Sequence, residues 1–286
     1  MIRINQVKLP VEHTTEALHK KVQELLKYKG SMDVEIVKRS LDARKKPQLF
    51  YVYMLDVTIP EKEERKLLKR CRSSQIQKVE PVKYVFPVKH YEGQKRPVIV
   101  GMGPAGLFCG YVLAKAGFRP ILLERGKCVE ERSRDVEAFW KTGHLNTESN
   151  VQFGEGGAGT FSNGKLNTLI KDKYGRNKEV LRIFVKHGAP REILYDYKPH
   201  IGTDILKEIV RSMREEILAS GGDVRFETRV TDLLIADGRI KGLVLNGQEE
   251  LLAEHVVLAL GHSARDTFSM LLKQKIVMEP KPFAIG

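Results

Sequence analysis

Cysteine is scarce in this chain, and long hydrophobic runs are missing. The 286 residues include three cysteines, Cys71, Cys109 and Cys128, which form no CxxC pair and no regular framework. We therefore expect neither a disulfide scaffold nor a redox-active dithiol, and the pattern is typical of a protein in the reducing cytoplasm. No apolar run approaches the roughly 18 residues that span a bilayer, and the N-terminus lacks the apolar core of a signal peptide. Because metal-ligand spacings are missing as well, no metal site is predicted.

Positive charge is concentrated in the first third of the chain. Residues 1–96 contain 22 Lys or Arg and 12 Asp or Glu, so they carry +10 of the total formal charge of +13. This asymmetry is typical either of a solvated lysine-rich surface or of a surface that binds nucleic acid. Tyr51 and Tyr53 are predicted to share one sheet face, from which aromatic rings can stack on RNA bases. Aromatic residues are also good strand formers, and no RNP1 motif is present, so both interpretations stay open.

The first 85 residues have the hydrophobic periodicities of alternating strands and helices. The predicted strands are residues 2–9, 34–40, 49–57 and 79–85, and the predicted helices are residues 15–27 and 61–71. The order β-α-β-β-α-β is typical of a small ferredoxin-like α+β domain. We assign this basic domain to residues 1–93.

From Pro97 onward the pattern is that of a parallel α/β sheet. A buried strand at residues 98–100, a helix at 103–117 and a second buried strand at 121–124 follow one another. Later predicted helices are residues 129–140, 179–187 and 203–220, and later predicted strands are 224–228, 233–235, 240–245 and 255–260. The domain predicted from these elements is a Rossmann-like dinucleotide-binding domain, residues 94–135 and 203–286, with an inserted glycine-rich region at residues 136–202.

The clearest motif is a GxGxxG fingerprint between the first two strands of this domain. Gly101 permits the tight turn, Gly103 lets the backbone approach a pyrophosphate, and Gly106 lets the helix pack on the sheet. The N-terminus of the following helix offers free N–H groups to phosphates. Glu124, at the end of the second strand, is placed to accept hydrogen bonds from ribose hydroxyls and disfavours a 2′-phosphate. The neighbouring residues Pro104, Ala105 and Arg125 favour FAD as the dinucleotide.

A second glycine-rich segment covers residues 150–166. Its glycines let the backbone fold tightly around a ligand, and its N–H and hydroxyl groups can donate to phosphates or to a flavin ring. Gly156, Gly157, Gly159 and Thr160 are therefore candidate cofactor-binding residues. A flexible surface loop is the alternative interpretation.

Several stretches resemble a bacterial family of FAD-dependent dehydrogenases, often labelled NAD(FAD)-utilising dehydrogenases, of the glutathione-reductase-like fold. The resembling stretches are residues 40–46, 139–143, 150–166, 200–204 and 258–266, so the resemblance covers nearly the whole chain. It implies an FAD site in which Val230 lies near the adenine and Gly261 approaches the cofactor. The family's label also implies NAD(P)H as an electron donor, although no second complete dinucleotide fingerprint is present.

Two departures from the family pattern affect these expectations. Asn163 stands where Asp is expected, so no acid-base role is assigned to it. The family continues well beyond Gly286, so we expect this chain to correspond to its N-terminal part. A third interpretation follows, in which the chain by itself is a catalytically inactive fragment.

The sequence predicts an FAD-dependent oxidoreductase of unknown substrate, with weak candidates for catalysis. His200 and His262 lie beside glycine-containing turns and could move a proton, and Lys165 could hold an anionic group. For each of the three, a structural or solvated side chain is the more common interpretation. An RNA-binding or RNA-modifying flavoprotein, acting through the basic residues 1–96, is the main alternative from another functional class.

Overall fold

A computed structural model describes residues 1–71, 73–88, 90–91, 94–162, 164–166, 168, 170 and 172–282. Asn163 and the C-terminal residues 283–286 lie outside the described residues. The chain forms two compact units, a front unit of Met1–Val85 and Lys165–Ile201, and a parallel-sheet unit of Phe86–Gly164 and Gly202–Gly286. The region assigned to residues 136–202 from the sequence is thus divided between the two units at Lys165.

The regular elements follow one another along both units. The strands are β1 (Ile2–Pro10), β2 (Asp33–Lys45), β3 (Gln48–Thr58), β4 (Ile76–Lys78), β5 (Val98–Val100), β6 (Ile121–Leu123), β7 (Asp223–Arg225), β8 (Val230–Ala236), β9 (Arg239–Leu245), β10 (Glu249–Leu252) and β11 (Val256–Leu258). The helices are α1 (Thr15–Leu26), α2 (Glu61–Arg70), α3 (Pro104–Lys115), α4 (Val129–Thr142), α5 (Arg176–Lys186), α6 (Thr203–Ala219) and α7 (Arg265–Lys273). Among the described helices, none is long and apolar enough to cross a membrane.

The front unit contains a four-stranded antiparallel sheet in the order β2-β3-β1-β4. The predicted order β-α-β-β-α-β is the order observed, but the strand predicted at residues 79–85 is wrong. The last strand, β4, lies earlier and pairs with β1, with Lys78 opposite Ile2. Because the two strands are antiparallel, residues 80–85 would need partners that precede the first residue of β1. Pro81 also lacks the N–H that a paired strand requires.

The core of the front unit corrects the interpretation of the two tyrosines. Tyr53 is 4% exposed and packs in one cluster with apolar residues of α1 and α2, and Tyr51 is packed against the same cluster. Both rings are also in edge contact with His13. The tyrosines share a face as predicted, but it is the face packed against the helices. Tyr53 is therefore not available to stack on a nucleic-acid base.

The parallel-sheet unit contains the predicted parallel sheet, in the order β11-β5-β6-β7. All six residues of β5 and β6 are buried, as expected for central strands of a parallel sheet. A separate antiparallel sheet is formed by β8, β9 and β10. The predicted hairpin corresponds to β8 and β9, whereas β10 and α7 were not predicted.

The strand order reverses direction at β5. The chain passes from β5 to β6 and β7 on one side, and β11 then pairs with the other side of β5. The connections that leave the carboxyl ends of β5 and β11 therefore diverge. In open parallel sheets the crevice at such a switch point is the usual position of a ligand.

Candidate functional site

A cavity of about 680 Å³, called here the switch-point cavity, lies at the carboxyl ends of β5, β6 and β11. Its lining belongs entirely to the parallel-sheet unit. The lining includes most of the residues that the sequence nominated for cofactor binding: Gly101, Gly103, Pro104, Ala105, Glu124, Arg125, Gly157, Gly159, Val230 and Gly261. Gly106, Gly156 and Thr160 are not among the lining residues.

The fingerprint turn (residues 101–106) depends on missing side chains. Gly101 has φ +98°, and a Cβ atom there would lie 2.5 Å from the carbonyl oxygen of Ala259 on the strand-end segment after β11. A Cβ on Gly106 would lie 1.8 Å from the carbonyl oxygen of Gly101. Both glycines are therefore required by the close approach of the turn, α3 and β11. Gly106 serves packing and has no direct contact with the cavity.

The start of α3 faces the cavity without a capping side chain. Gly103 is the N-cap residue, Pro104 is the first helical residue, and within the described part of the chain no capping side chain bonds to the N–H groups of the first turn. Such N–H groups, together with the positive end of the helix dipole, favour an anionic ligand. A Cβ added to Gly103 would have Gly157 Cα, 3.9 Å away, as its nearest neighbour among the described residues. The turn is therefore open to a phosphate group.

Glu124 is more deeply integrated than the sequence indicated. Its side chain is almost completely buried and accepts three backbone hydrogen bonds, from Met102 N (2.7 Å), Gly126 N (2.9 Å) and Gly154 N (2.9 Å). A carboxylate has about four acceptor positions, so three are used within the protein. One acceptor position remains for the ribose hydroxyl predicted from the sequence. Within the protein, Glu124 joins the fingerprint turn to the glycine-rich segment.

The glycine-rich wall (residues 150–161) forms another side of the cavity. Gly156 donates its N–H to the Met102 carbonyl oxygen (2.8 Å), behind the lining residues. Thr160 is completely buried, and its hydroxyl has no hydrogen-bond partner among the described residues. These two predicted cofactor ligands lie outside the lining of the cavity, whereas Gly157 and Gly159 line it.

Charged side chains of both signs surround Arg125 on the cavity wall. Arg125 donates to Glu148 (2.8 Å) and to Asp266 on α7 (2.9 Å), and its guanidinium lies 4.2 Å from the centre of the Phe153 ring. Arg229 donates to the same Glu148 (3.1 Å). Burial alone would raise the pKa of the Asp266 carboxyl, but the hydrogen bond and the charge of Arg125, the Thr267 N–H and the charge of Arg229 together hold this pKa below its usual range. The cluster thus links α7 to the wall.

The three candidate catalytic residues lie in two different units. His262 lines the switch-point cavity, and its Nδ1 shares a hydrogen bond with the Ser263 hydroxyl (2.6 Å). Lys165 and His200 are exposed residues of the front unit, where their backbones form an isolated antiparallel bridge. They are not among the lining residues of the cavity.

Three charged residues important for the wall were not identified from the sequence. Arg132 on α4 and Glu155 are completely buried, and Arg214 on α6 donates to Glu155 (2.7 Å). Burial raises the pKa of Glu155 to about 7, even though the Arg214 charge opposes this shift. In the sequence these residues are indistinguishable from the many Glu and Arg of exposed helix faces, so no local signal identified them.

Comparisons with known proteins cover different parts of the chain. A family model described as "Domain of unknown function (DUF8436)" matches residues 1–58. An "Uncharacterized protein" of Clostridium beijerinckii is 44% identical over 289 residues, which cover 100% of this chain and 53% of the relative. The chain therefore spans about half the length of the curated relative it matches.

Solved structures that align with this chain share little of its sequence. Thermovibrio ammonificans THI4 is 22% identical, with 64% of each chain covered and a TM-score of 0.41. Glycine oxidase from Bacillus cereus is 14% identical, with 63% of this chain and 59% of that chain covered and a TM-score of 0.41. A complex of OTEMO with FAD and NADP is 15% identical, with 60% and 26% covered and a TM-score of 0.36. These TM-scores are below 0.5, so the three likenesses carry no information about the function of this chain.

Proposed function

We propose that this chain binds FAD in the switch-point cavity and is the FAD-binding part of an oxidoreductase of the glutathione-reductase type. The observation that carries the proposal is the open start of α3 at the point where the strand order reverses. There a fingerprint turn held by Gly101 and Gly106 presents free N–H groups to the cavity. This combination favours the diphosphate of a dinucleotide.

The residues around the cavity fit the ADP half of FAD. Gly103 and Ala105 would hold the diphosphate, and the remaining acceptor position of Glu124 would take a ribose hydroxyl. Arg125 and Val230 line the part of the cavity beyond β6, where we expect the adenine. Bound FAD would supply hydride or electron transfer at its flavin ring. The contribution of this chain is to bind and orient that group.

On the opposite side, Gly261 and His262 follow β11 and line the same cavity. We propose that Gly261 allows close approach of the cofactor and that His262 is the first residue to test for a proton-transfer role. NAD(P)H is proposed as the electron donor, in a cytoplasmic reaction whose substrate is not assigned. The front unit is proposed to be a separate ferredoxin-like domain, and no observation favours RNA as its partner.

The test uses Gly103→Asp, with Gly103→Asn as a control of the same size. Asp and Asn are both good N-cap residues, and a side chain at Gly103 has space, so both variants should fold. The added carboxylate of Asp would repel the diphosphate. We expect the wild-type chain to show a bound-flavin spectrum after addition of FAD, and the Asp variant to bind FAD at least tenfold more weakly than the Asn variant.

Circular dichroism and thermal unfolding serve as the control for correct folding. A folded wild-type chain that gives no bound-flavin spectrum at any FAD concentration would contradict the proposal. Equal FAD affinity of the Asp and Asn variants would place the diphosphate away from α3.

A further inference from the structure

Arg132 makes an unusual set of contacts below the glycine-rich wall. Its side chain is completely buried, and its guanidinium donates to five backbone carbonyl oxygens of the wall. The acceptors and distances are Asn150 (2.8 Å), Val151 (2.9 Å), Gly154 (3.3 Å), Glu155 (2.7 Å) and Gly157 (2.9 Å). One side chain of α4 therefore fixes the path of eight consecutive residues, 150–157.

These contacts determine which backbone groups the wall presents to the cavity. Gly154 and Gly157 line the cavity, yet their carbonyl oxygens bond to Arg132. The partial negative charges of these carbonyls are thereby held by a cation instead of facing a ligand. A wall arranged in this way suits an anionic ligand, because carbonyl oxygens directed at a diphosphate would repel it.

The wall is also in close contact with the fingerprint turn. A Cβ added to Gly157 would lie 3.0 Å from Gly103 Cα and 3.0 Å from Pro104 Cδ. A small displacement of the wall would therefore change the space in front of the α3 N-terminus. Arg132 controls that displacement through its bonds to Glu155 and Gly157.

The charge of Arg132 is retained despite its burial. Burial lowers the pKa of Arg132 to about 10, against the opposing effect of the Glu124 and Glu155 carboxylates. This value is still well above neutral pH, so the group is a cation in the folded protein. Lysine could not replace it, because an ammonium has three donors and the planar guanidinium has five.

We propose that Arg132 is a positioning residue that holds the glycine-rich wall in the form required by a diphosphate ligand. The proposal rests on the function proposed above and adds a residue that does not itself line the cavity. It predicts that loss of the guanidinium releases the wall first and weakens binding of the diphosphate as a consequence.

The test compares Arg132→Lys, Arg132→Met and Arg132→Ala with the control Arg134→Met, which changes an exposed arginine of the same helix. Amide hydrogen exchange is measured without ligand, and affinity is measured with ADP. In each Arg132 variant we expect faster exchange at Glu155, Gly156 and Gly157 and at least a tenfold loss of ADP affinity. The control should match the wild type in both.

Chemical rescue separates positioning from general damage. Millimolar guanidinium chloride should restore slow exchange and ADP affinity to the Arg132→Ala variant, whereas the same concentration of sodium chloride should not. If the Met and Ala variants do not fold, the milder Lys variant provides the comparison. Exchange and ADP affinity equal to the wild type in the folded Arg132 variants would overturn the proposal.

Failure of the positioning role can be distinguished from failure of the FAD site. If the wild-type chain binds neither ADP nor FAD, the proposed function is wrong, and with it the diphosphate part of this inference. The exchange measurement needs no ligand, so unchanged exchange at residues 155–157 would refute the positioning role in either case. Wild-type ADP binding with unchanged exchange in the variants would refute the role of Arg132 alone.

Discussion

Two glycine-rich segments line the same cavity, but they are held in place by opposite means. The fingerprint turn depends on atoms that are missing, because Gly101 and Gly106 let backbone segments touch. The glycine-rich wall depends on buried charge, because Arg132 binds its carbonyl oxygens from below and Arg214 donates to the buried side chain of its Glu155. The short fingerprint turn is therefore encoded by its own residues, whereas the longer glycine-rich wall is encoded by charged residues on distant helices that hold it.

A single carboxylate joins the two segments. Glu124 accepts from Met102 in the turn and from Gly154 in the wall. Variants of the turn, of the wall and of one isolated glycine test this arrangement. The expected losses of unfolding free energy decrease in that order.

The largest loss of stability is expected in the turn, for Gly106→Ala. The added Cβ would lie 1.8 Å from the Gly101 carbonyl oxygen, and α3 cannot move away without separating from the sheet. We expect the free energy of unfolding to fall by about 3 kcal/mol or more. The measurement is urea unfolding, with Gly159→Ala as control because a Cβ there meets nothing within 4 Å. Equal stabilities of the two variants would show that the turn tolerates a side chain.

The wall should respond to pH through Glu155. Its pKa is raised from 4.5 to about 7 in the folded chain, so folding favours the protonated form. The stabilising contribution is complete below about pH 4.5 and is lost as pH rises through about 7, by up to roughly 3 kcal/mol. Glu155→Gln should remove this dependence.

Urea unfolding of wild type and Glu155→Gln between pH 5 and pH 8 provides the measurement. The difference in unfolding free energy between the two proteins should shift in favour of the Gln variant as pH increases. A difference that stays constant across this range would mean that Glu155 is ionised throughout.

A smaller loss of stability is expected where the wall meets Arg132. Gly154 has φ +120°, and a Cβ there would lie 2.3 Å from Arg132 Cδ. Gly154→Ala should cost about 2 kcal/mol in the wild-type chain and clearly less in an Arg132→Met background, where the side chain can move aside. A double-mutant cycle from urea unfolding measures the coupling. Strict additivity of the two changes would contradict the proposed contact.

The smallest loss of stability is expected for Gly261→Ala, in the segment after β11. This glycine has φ +66°, and a Cβ there would meet nothing within 4 Å. Only the left-handed backbone conformation is penalised, at about 1 kcal/mol. Thermal unfolding should detect this small loss, and FAD affinity should fall with it, because the added Cβ would occupy space that Gly261 is proposed to leave for the cofactor. Unchanged FAD affinity would show that the cofactor does not approach Gly261.

The sequence was sufficient for the parallel strands and for the turn between them, because buried apolar runs and glycine spacing are local signals. It was insufficient for β4, whose extent depends on where its antiparallel partner β1 begins. It placed Tyr51 and Tyr53 on one face but could not tell which face the helices cover. Arg132 was missed because burial of a charged side chain is a property of the tertiary contacts around it.

The central claim is that the switch-point cavity binds the ADP half of FAD. The most direct test is to titrate the purified chain with FAD, follow the flavin fluorescence, and then add ADP as a competitor. The account predicts saturable binding of FAD that ADP displaces competitively, with Gly103→Asp weakening the binding of both at least tenfold relative to Gly103→Asn. FAD binding that ADP does not displace, or that is equally strong in the Asp and Asn variants, would contradict it.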